Sequence, residues 1–215
     1  MSENFYRIKL EYLEKITKEI YKSNLIVIAS RPAMGKSTVI FNIAKYYVVY
    51  EDTPVCIFSL EISKQSIIDN FNELSSNKVF INDIPVSVEE IKDKCIQLKK
   101  EKGIGAIFID YLQLISTEKK IKSIEQEREY ISLELKDLAE ELNVPIILAS
   151  KLSKDIELRE NKLPGLSDFK YSSSLIKVAD VIIFLYRDYN TDNEDEMEII
   201  FAKNVNTGIY GDIIC

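Results

Sequence analysis

Histidine is absent from all 215 residues. That absence removes imidazole bases, histidine-dependent triads and histidine metal sites in one step. Any proton transfer must fall to carboxylates, lysine, tyrosine or bound water. Cysteine is scarce: Cys56, Cys95 and Cys215 are scattered, odd in number and without ligand spacing. A disulfide framework and a zinc site are thereby excluded, and a reduced, cytoplasmic compartment is the expectation. No apolar run approaches the ~20 residues of a membrane span. The first residues carry no basic segment followed by an apolar one, so no secretory leader is expected. Positive charge is in deficit, with a net charge of −7. That argues against a broad electrostatic nucleic-acid surface, though not against a narrow basic channel. Arginine is rare, occurring only as Arg7, Arg31, Arg128, Arg159 and Arg187. The remaining composition, 46% apolar and 29% charged, is that of an ordinary globular chain long enough for one α/β core.

What is present is concentrated near the N-terminus. Leu25, Ile26, Val27, Ile28 and Ala29 form an apolar run, followed directly by Ser30, Arg31, Pro32, Ala33, Met34, Gly35, Lys36, Ser37 and Thr38. The run reads as a buried strand and the next residues as a turn. Gly-Lys-Ser then opens a helix, because Val39, Ile40, Ile43, Ala44 and Tyr47 recur at helical spacing. Such a junction makes a phosphate cradle. Backbone N–H groups converge on one spot, where the helix dipole also favours negative charge. Lys36 is placed to reach terminal phosphates, and the Ser37 hydroxyl to ligate Mg²⁺. Ser30 stands where the full pattern G-x-x-x-x-G-K-[ST] has glycine. Gly-Lys-Ser also opens ordinary helices, but the strand before it and the apolar helix face behind it favour phosphate binding. The expected ligand is a nucleoside triphosphate.

Along the rest of the chain, residues 5–22 have helical apolar spacing and read as a lead-in helix within residues 1–24. Residues 55–60 form a second buried strand with Glu61 at its end, and a short helix is expected over residues 63–74. Val79, Phe80 and Ile81 are a short extended piece. Ser87 with Glu90 is a capping box opening a helix that stops at Gly103. Ala106, Ile107, Phe108 and Ile109 form a third strand with Asp110 at its tip. Ile131, Leu135, Leu138 and Leu142 mark a long helix, and residues 145–150 a fourth strand. Residues 151–174 show little regular signal beyond a turn at Pro164 and Gly165, and long loops in compact domains are often functional. Residues 181–185 and 198–202 are the fifth and sixth strands, with an acidic hairpin tip at residues 188–196.

Apolar strands alternating with helices imply a mostly parallel sheet covered on both faces. In such sheets ligands sit outside the C-terminal strand ends, where Ser30, Glu61, Asp110, Ser150 and Arg187 all fall. Asp110 is placed to orient Mg²⁺ and its waters; alternatively it caps the next turn. Glu61 is placed to orient or deprotonate an attacking water; alternatively it complements a helix N-terminus.

Four strings carry a resemblance: IASRPAMGKST (28–38), IFSLEIS (57–63), IFIDYLQL (107–114) and VADVIIFLYRD (178–188). LNVPIILASKLS (142–153) and LSDF (166–169) add weaker matches. Together they resemble the C-terminal motor domain of DnaB-type replicative helicases, a RecA-like ATPase family, over residues 10–215. The family often lacks the first cradle glycine, as here at Ser30. The resemblance implies a single RecA-like P-loop domain over residues 1–215 that uses ATP and Mg²⁺. It gives Lys36 and Ser37 phosphate and Mg²⁺ contacts, Glu61 the catalytic role and Asp110 the metal-orienting role. Arg187 would pack on the adenine; its alternative is a surface pair with Asp188. Lys203 would reach the γ-phosphate of a neighbouring subunit. Single-stranded DNA would meet residues 117–122 and parts of residues 151–174. The partners implied are further copies in a homo-oligomer such as a hexamer, or another helicase subunit.

Departures from the family pattern are equally specific. Lys151 stands where the family has a γ-phosphate-sensing glutamine, and Val205 where it has an arginine finger. Lys151 reads as a solvated loop lysine, with a γ-phosphate contact in cis as the alternative. Tyr171 and Ser173 replace charged and glycine positions in the second DNA loop. A collar domain and a helical segment before Val79 have no counterpart. Two functions therefore stand: a replication motor that hydrolyses ATP on single-stranded DNA, or a slow ATPase that regulates a true helicase.

Overall fold

The computed structural model describes residues 8–71, 77–169, 173–187, 197–208 and 212–214. The acidic tip at residues 188–196, Asp188 included, lies outside them, as does Tyr171. Among the described residues, the strands form one eight-stranded sheet in the order β3-β2-β4-β5-β1-β6-β7-β8. The strands are β1 (Leu25–Ser30), β2 (Val55–Ser59), β3 (Val79–Asn82), β4 (Ala106–Asp110), β5 (Ile146–Lys151), β6 (Val181–Tyr186), β7 (Glu198–Asn204) and β8 (Asp212–Ile214). The first six run parallel, and β7 and β8 extend the sheet antiparallel. The helices are α1 (Leu10–Lys18), α2 (Lys36–Val49), α3 (Lys64–Phe71), α4 (Val88–Lys102), α5 (Ile124–Leu142) and α6 (Ser173–Val178).

Both faces of the sheet are covered, which is why its central strands read as continuous apolar runs. β1 shows the alternation: Leu25, Val27 and Ala29 pack with Ile91 and Cys95 of α4 and Ile131 and Leu135 of α5. Ile26 and Ile28 face the other way, onto Leu13 and Ile16 of α1 and Val39, Ile40 and Ile43 of α2. Each such buried aliphatic contributes about 1.5–3 kcal/mol. The helix ends follow from local chemistry. Ser87 accepts from the Glu90 N–H while Glu90 accepts from the Ser87 N–H, and Gly103 ends α4 in the left-handed region at φ 67°. Ser123 caps α5, and Asn143 takes the left-handed position behind it. No described helix is long and apolar enough to cross a membrane.

The structure adds two strands to the six expected. The extended piece at Val79 is a full edge strand paired with β2, and β8 has only three residues, too few for a pattern. The segment after β5 also carries more structure than its sequence suggests. It contains two short 3-10 helices, Lys154–Leu158 and Leu166–Asp168, pinned by buried Leu152, Ile156 and Phe169. Isolated apolar anchors of this kind have no period to detect.

Strand order fixes where a ligand can sit. β1 lies between β5 and β6; the chain leaves it for β2 on one side and returns as β6 on the other. The reversal opens a crevice at the C-terminal end of β1.

Candidate functional site

The turn between β1 and α2 occupies that crevice. Ala33 and Gly35 both have positive φ, at 62° and 77°, and Gly35 directly precedes α2. Glycine is required there: a Cβ would come within 3.0 Å of Met197 Cε and 4.0 Å of Arg187 Nη2. Lys36, Ser37 and Thr38 form the first turn of α2, so its unbonded N–H groups face the crevice. Pro32 and Ala33 are exposed, and Met34 is buried. Ser30 is buried at the end of β1, its hydroxyl donating to the Arg31 carbonyl at 2.9 Å. Arg31 is buried too. It donates to Glu157 Oε1 at 2.6 Å and lies 5.7 Å from the Tyr186 ring. That ion pair, invisible in sequence, ties the cradle to the segment after β5.

Asp110 ends β4 beside this turn and is fully buried. Neither carboxylate oxygen has a hydrogen bond of normal geometry among the described residues. Burial pushes its pKa up, opposed by the adjacent Ser37 hydroxyl and the Lys36 ammonium. Burial likewise pushes the Lys36 pKa down, with Asp110 acting against it. An orphaned carboxylate beside a serine hydroxyl suits a hard, oxygen-seeking cation. No cluster of three or more acidic or cysteine side chains is present among the described residues. The residues therefore fit Mg²⁺ held by one or two protein oxygens plus phosphate and water, the usual manner for that ion.

Glu61 lies two residues beyond β2, half-exposed, and pairs with Lys151 Nζ at 3.3 Å. Lys151 is not the solvated loop residue expected. It ends β5 in register with Ser30, and its ammonium sits 3.7 Å from the Tyr111 ring centroid. Burial disfavours its charge, but Tyr111 and Glu61 outweigh burial and the pKa is raised. Its backbone is gripped by Gln113, whose amide accepts from the Lys151 N–H at 3.2 Å and donates to its carbonyl at 3.3 Å. Tyr111 and Gln113 belong to the IDYLQL string, where only Asp110 stands out by chemistry.

The structure thus brings Ser30, Lys36, Ser37, Glu61, Asp110 and Arg187 to one edge. Lys203 is elsewhere. It pairs with Ile182 near the start of β6, at the opposite sheet edge, and donates to the Ile176 and Ala179 carbonyls at 2.8 and 2.6 Å. Val205, two residues on, is half-exposed. Of the expected DNA-facing parts, residues 117–122 are anchored by Glu89, which accepts from the Thr117 hydroxyl at 2.8 Å and the Glu118 N–H at 3.2 Å.

A parallel sheet with a glycine-lysine-serine turn at its switch point defines a nucleotide-binding α/β domain of the RecA-like kind. The family model described as "DnaB-like helicase C terminal domain" matches residues 7–72 and 65–213, and the chain belongs to that family. The chain is 37% identical over 229 residues to a Bacillus subtilis replicative DNA helicase, covering 90% of this chain and 50% of that one. A plasmid replicative helicase of Chlamydia psittaci, described as probable, is 34% identical over 88% of this chain and 48% of its own. The chain spans about half the length of these curated relatives. The first alignment, at 229 positions, exceeds the 215 residues here, so that relative carries residues this chain lacks. Among solved structures, one described as an ATPase domain superposes with a TM-score of 0.76 at 32% identity, covering 90% of this chain and 80% of that one. A DnaB-like replicative helicase studied with primase gives 0.75, also at 32% identity, over 91% of this chain and 54% of its own.

Proposed function

We propose that the chain is an ATP-binding and ATP-hydrolysing motor domain of the replicative helicase type, a single domain over residues 1–215 working on single-stranded DNA in the cytoplasm. What carries the reading is the meeting, at one sheet edge, of the buried Asp110 carboxylate with Lys36 at the head of α2. Charge of both signs is buried there, and neither Asp110 oxygen has a hydrogen bond of normal geometry among the described residues, which suits a site built for a ligand.

In this reading the N–H groups of the turn and of α2 hold the phosphates, and Lys36 neutralises their charge. Mg²⁺, when bound, supplies further neutralisation, held by Ser37 and Asp110. Glu61 orients a water against the γ-phosphorus and accepts its proton. The bond from phosphorus to the β–γ bridging oxygen breaks, and the leaving ADP takes the electron pair. Arg187, beside Gly35 and Met197, packs on the base. Lys203, on the opposite edge, would serve a neighbouring copy in a homo-oligomer by exchanging its contacts with the Ile176 and Ala179 carbonyls for that copy's γ-phosphate. Residues 117–122 and parts of residues 151–174 face the DNA.

ATP turnover measured with and without single-stranded DNA, alongside oligomeric state by light scattering, tests the proposal. DNA-stimulated turnover by a hexamer is the expected result. A monomer that binds ATP with no response to DNA would contradict the motor role and point to the regulatory one.

A further inference from the structure

Beside Lys36 of the cradle the crevice holds a second lysine, Lys151. Lys36 and Lys151 reach the same Tyr111 ring, at 5.9 and 3.7 Å from its centroid, one from the head of α2 and the other from the end of β5. We propose that Lys151 is a second phosphate-binding cation acting in cis, and that its ion pair with Glu61 is a resting latch opened by the terminal phosphate of a bound triphosphate. The proposal rests on the triphosphate site argued above.

The backbone under Lys151 is fixed from two sides. Gln113 clamps it as described and also donates to Ser150 Oγ at 3.1 Å, while the Leu152 N–H donates to the Ser30 carbonyl at 3.1 Å. Gln113 is fixed in turn, because Arg128 donates to the carbonyls of Leu112, Gln113 and Ile115 at 3.3, 3.2 and 2.8 Å. With the strand end held, the side chain is the part that can swing. Its present partner is weak: the Glu61 side chain is 46% exposed, and such pairs contribute about 0–1 kcal/mol. A phosphate with more charge and more acceptor oxygens out-competes a half-exposed carboxylate for an ammonium.

The exchange would have a chemical consequence. While Lys151 holds Glu61, the carboxylate is committed. Once phosphate draws the lysine away, Glu61 is released as proton acceptor for water beside that same phosphate. Three arginines are poor substitutes for this role here. Arg31 is committed to Glu157, Arg128 to three carbonyls, and Arg159 to Asp168 at 2.9 Å.

Affinities for a non-hydrolysable ATP analogue and for ADP, measured on the full chain, give the test. Lys151→Met is expected to weaken the analogue about tenfold or more while leaving ADP unchanged, the loss of one charge-assisted contact. Lys151→Ala gives the same neutralisation should the methionine variant fold poorly, and Lys151→Arg should keep the discrimination. Glu61→Gln should tighten analogue binding, because the lysine no longer has to be won from a carboxylate. An analogue-to-ADP ratio unchanged in both neutral variants, or weaker analogue binding in Glu61→Gln, would overturn the latch. Wild-type protein that binds neither nucleotide would overturn the triphosphate site itself, a distinguishable failure.

Discussion

The two edges of the parallel sheet treat buried charge in opposite ways. At the N-terminal edge, Asp180 accepts from the Leu25 N–H at 2.8 Å and from Lys136 at 2.7 Å, and Lys136 also donates to the Ser23 carbonyl at 3.0 Å. Asn204 donates to Glu19 at 2.7 Å, and Asn206 to Asn24 at 2.8 Å. Polar groups there are spent on one another, closing strand starts and helix ends. At the C-terminal edge, Asp110 is buried deeper yet lacks such partners among the described residues, and Lys36 is buried against the preference of its charge. The first edge is built for stability. The second keeps its polar capacity in reserve for phosphate and metal, at a cost in stability.

The contrast can be broken at either edge. The largest expected effect is on binding: Lys36→Ala should weaken nucleotide affinity by about a hundredfold or more, since it removes a charge-assisted contact inside the cradle. Equal affinity in calorimetric titration would displace the site. Next, Glu61→Gln should lower turnover by about 10²–10⁴-fold, the range for loss of a general base, while the fold and nucleotide binding persist. A turnover near wild type would leave Glu61 a structural partner of Lys151 alone. The smallest effect belongs to the opposite edge. Asp180→Asn should cost about 1–3 kcal/mol of unfolding free energy in a denaturant titration, because Lys136 loses the more buried of its two charged partners, Asp180 and Glu140, without altering turnover per folded molecule.

Much of this architecture is legible in the sequence, and the limits have physical causes. Strands and helices with a clear period, such as β1 with α2 and β4 with α5, are visible because burial on one or both faces writes itself into spacing. The capping box at Ser87 and the stop at Gly103 are local chemistry and need no tertiary knowledge. β8 is too short to show, and the 3-10 helices after β5 depend on single anchors such as Ile156. The cradle residues are found through their local pattern. Lys151 reads as solvated because its partners, Glu61 and Tyr111, are distant in sequence and meet it only through the β2–β4 and β4–β5 pairings. The pair of Arg31 with Glu157 escapes a sequence reading for the same reason.

The most direct test pairs one carboxylate from each edge. Unfolding free energy and ATP turnover would be measured together for Asp110→Asn and Asp180→Asn. Because burial opposes the Asp110 charge more than Ser37 and Lys36 favour it, Asp110→Asn should leave stability within about 1 kcal/mol of wild type, or raise it, while abolishing turnover. Asp180→Asn should do the reverse, losing stability and keeping turnover. If Asp110→Asn destabilised the fold as much as Asp180→Asn does, the buried charge at the cradle would be structural and the division between the two edges would be wrong.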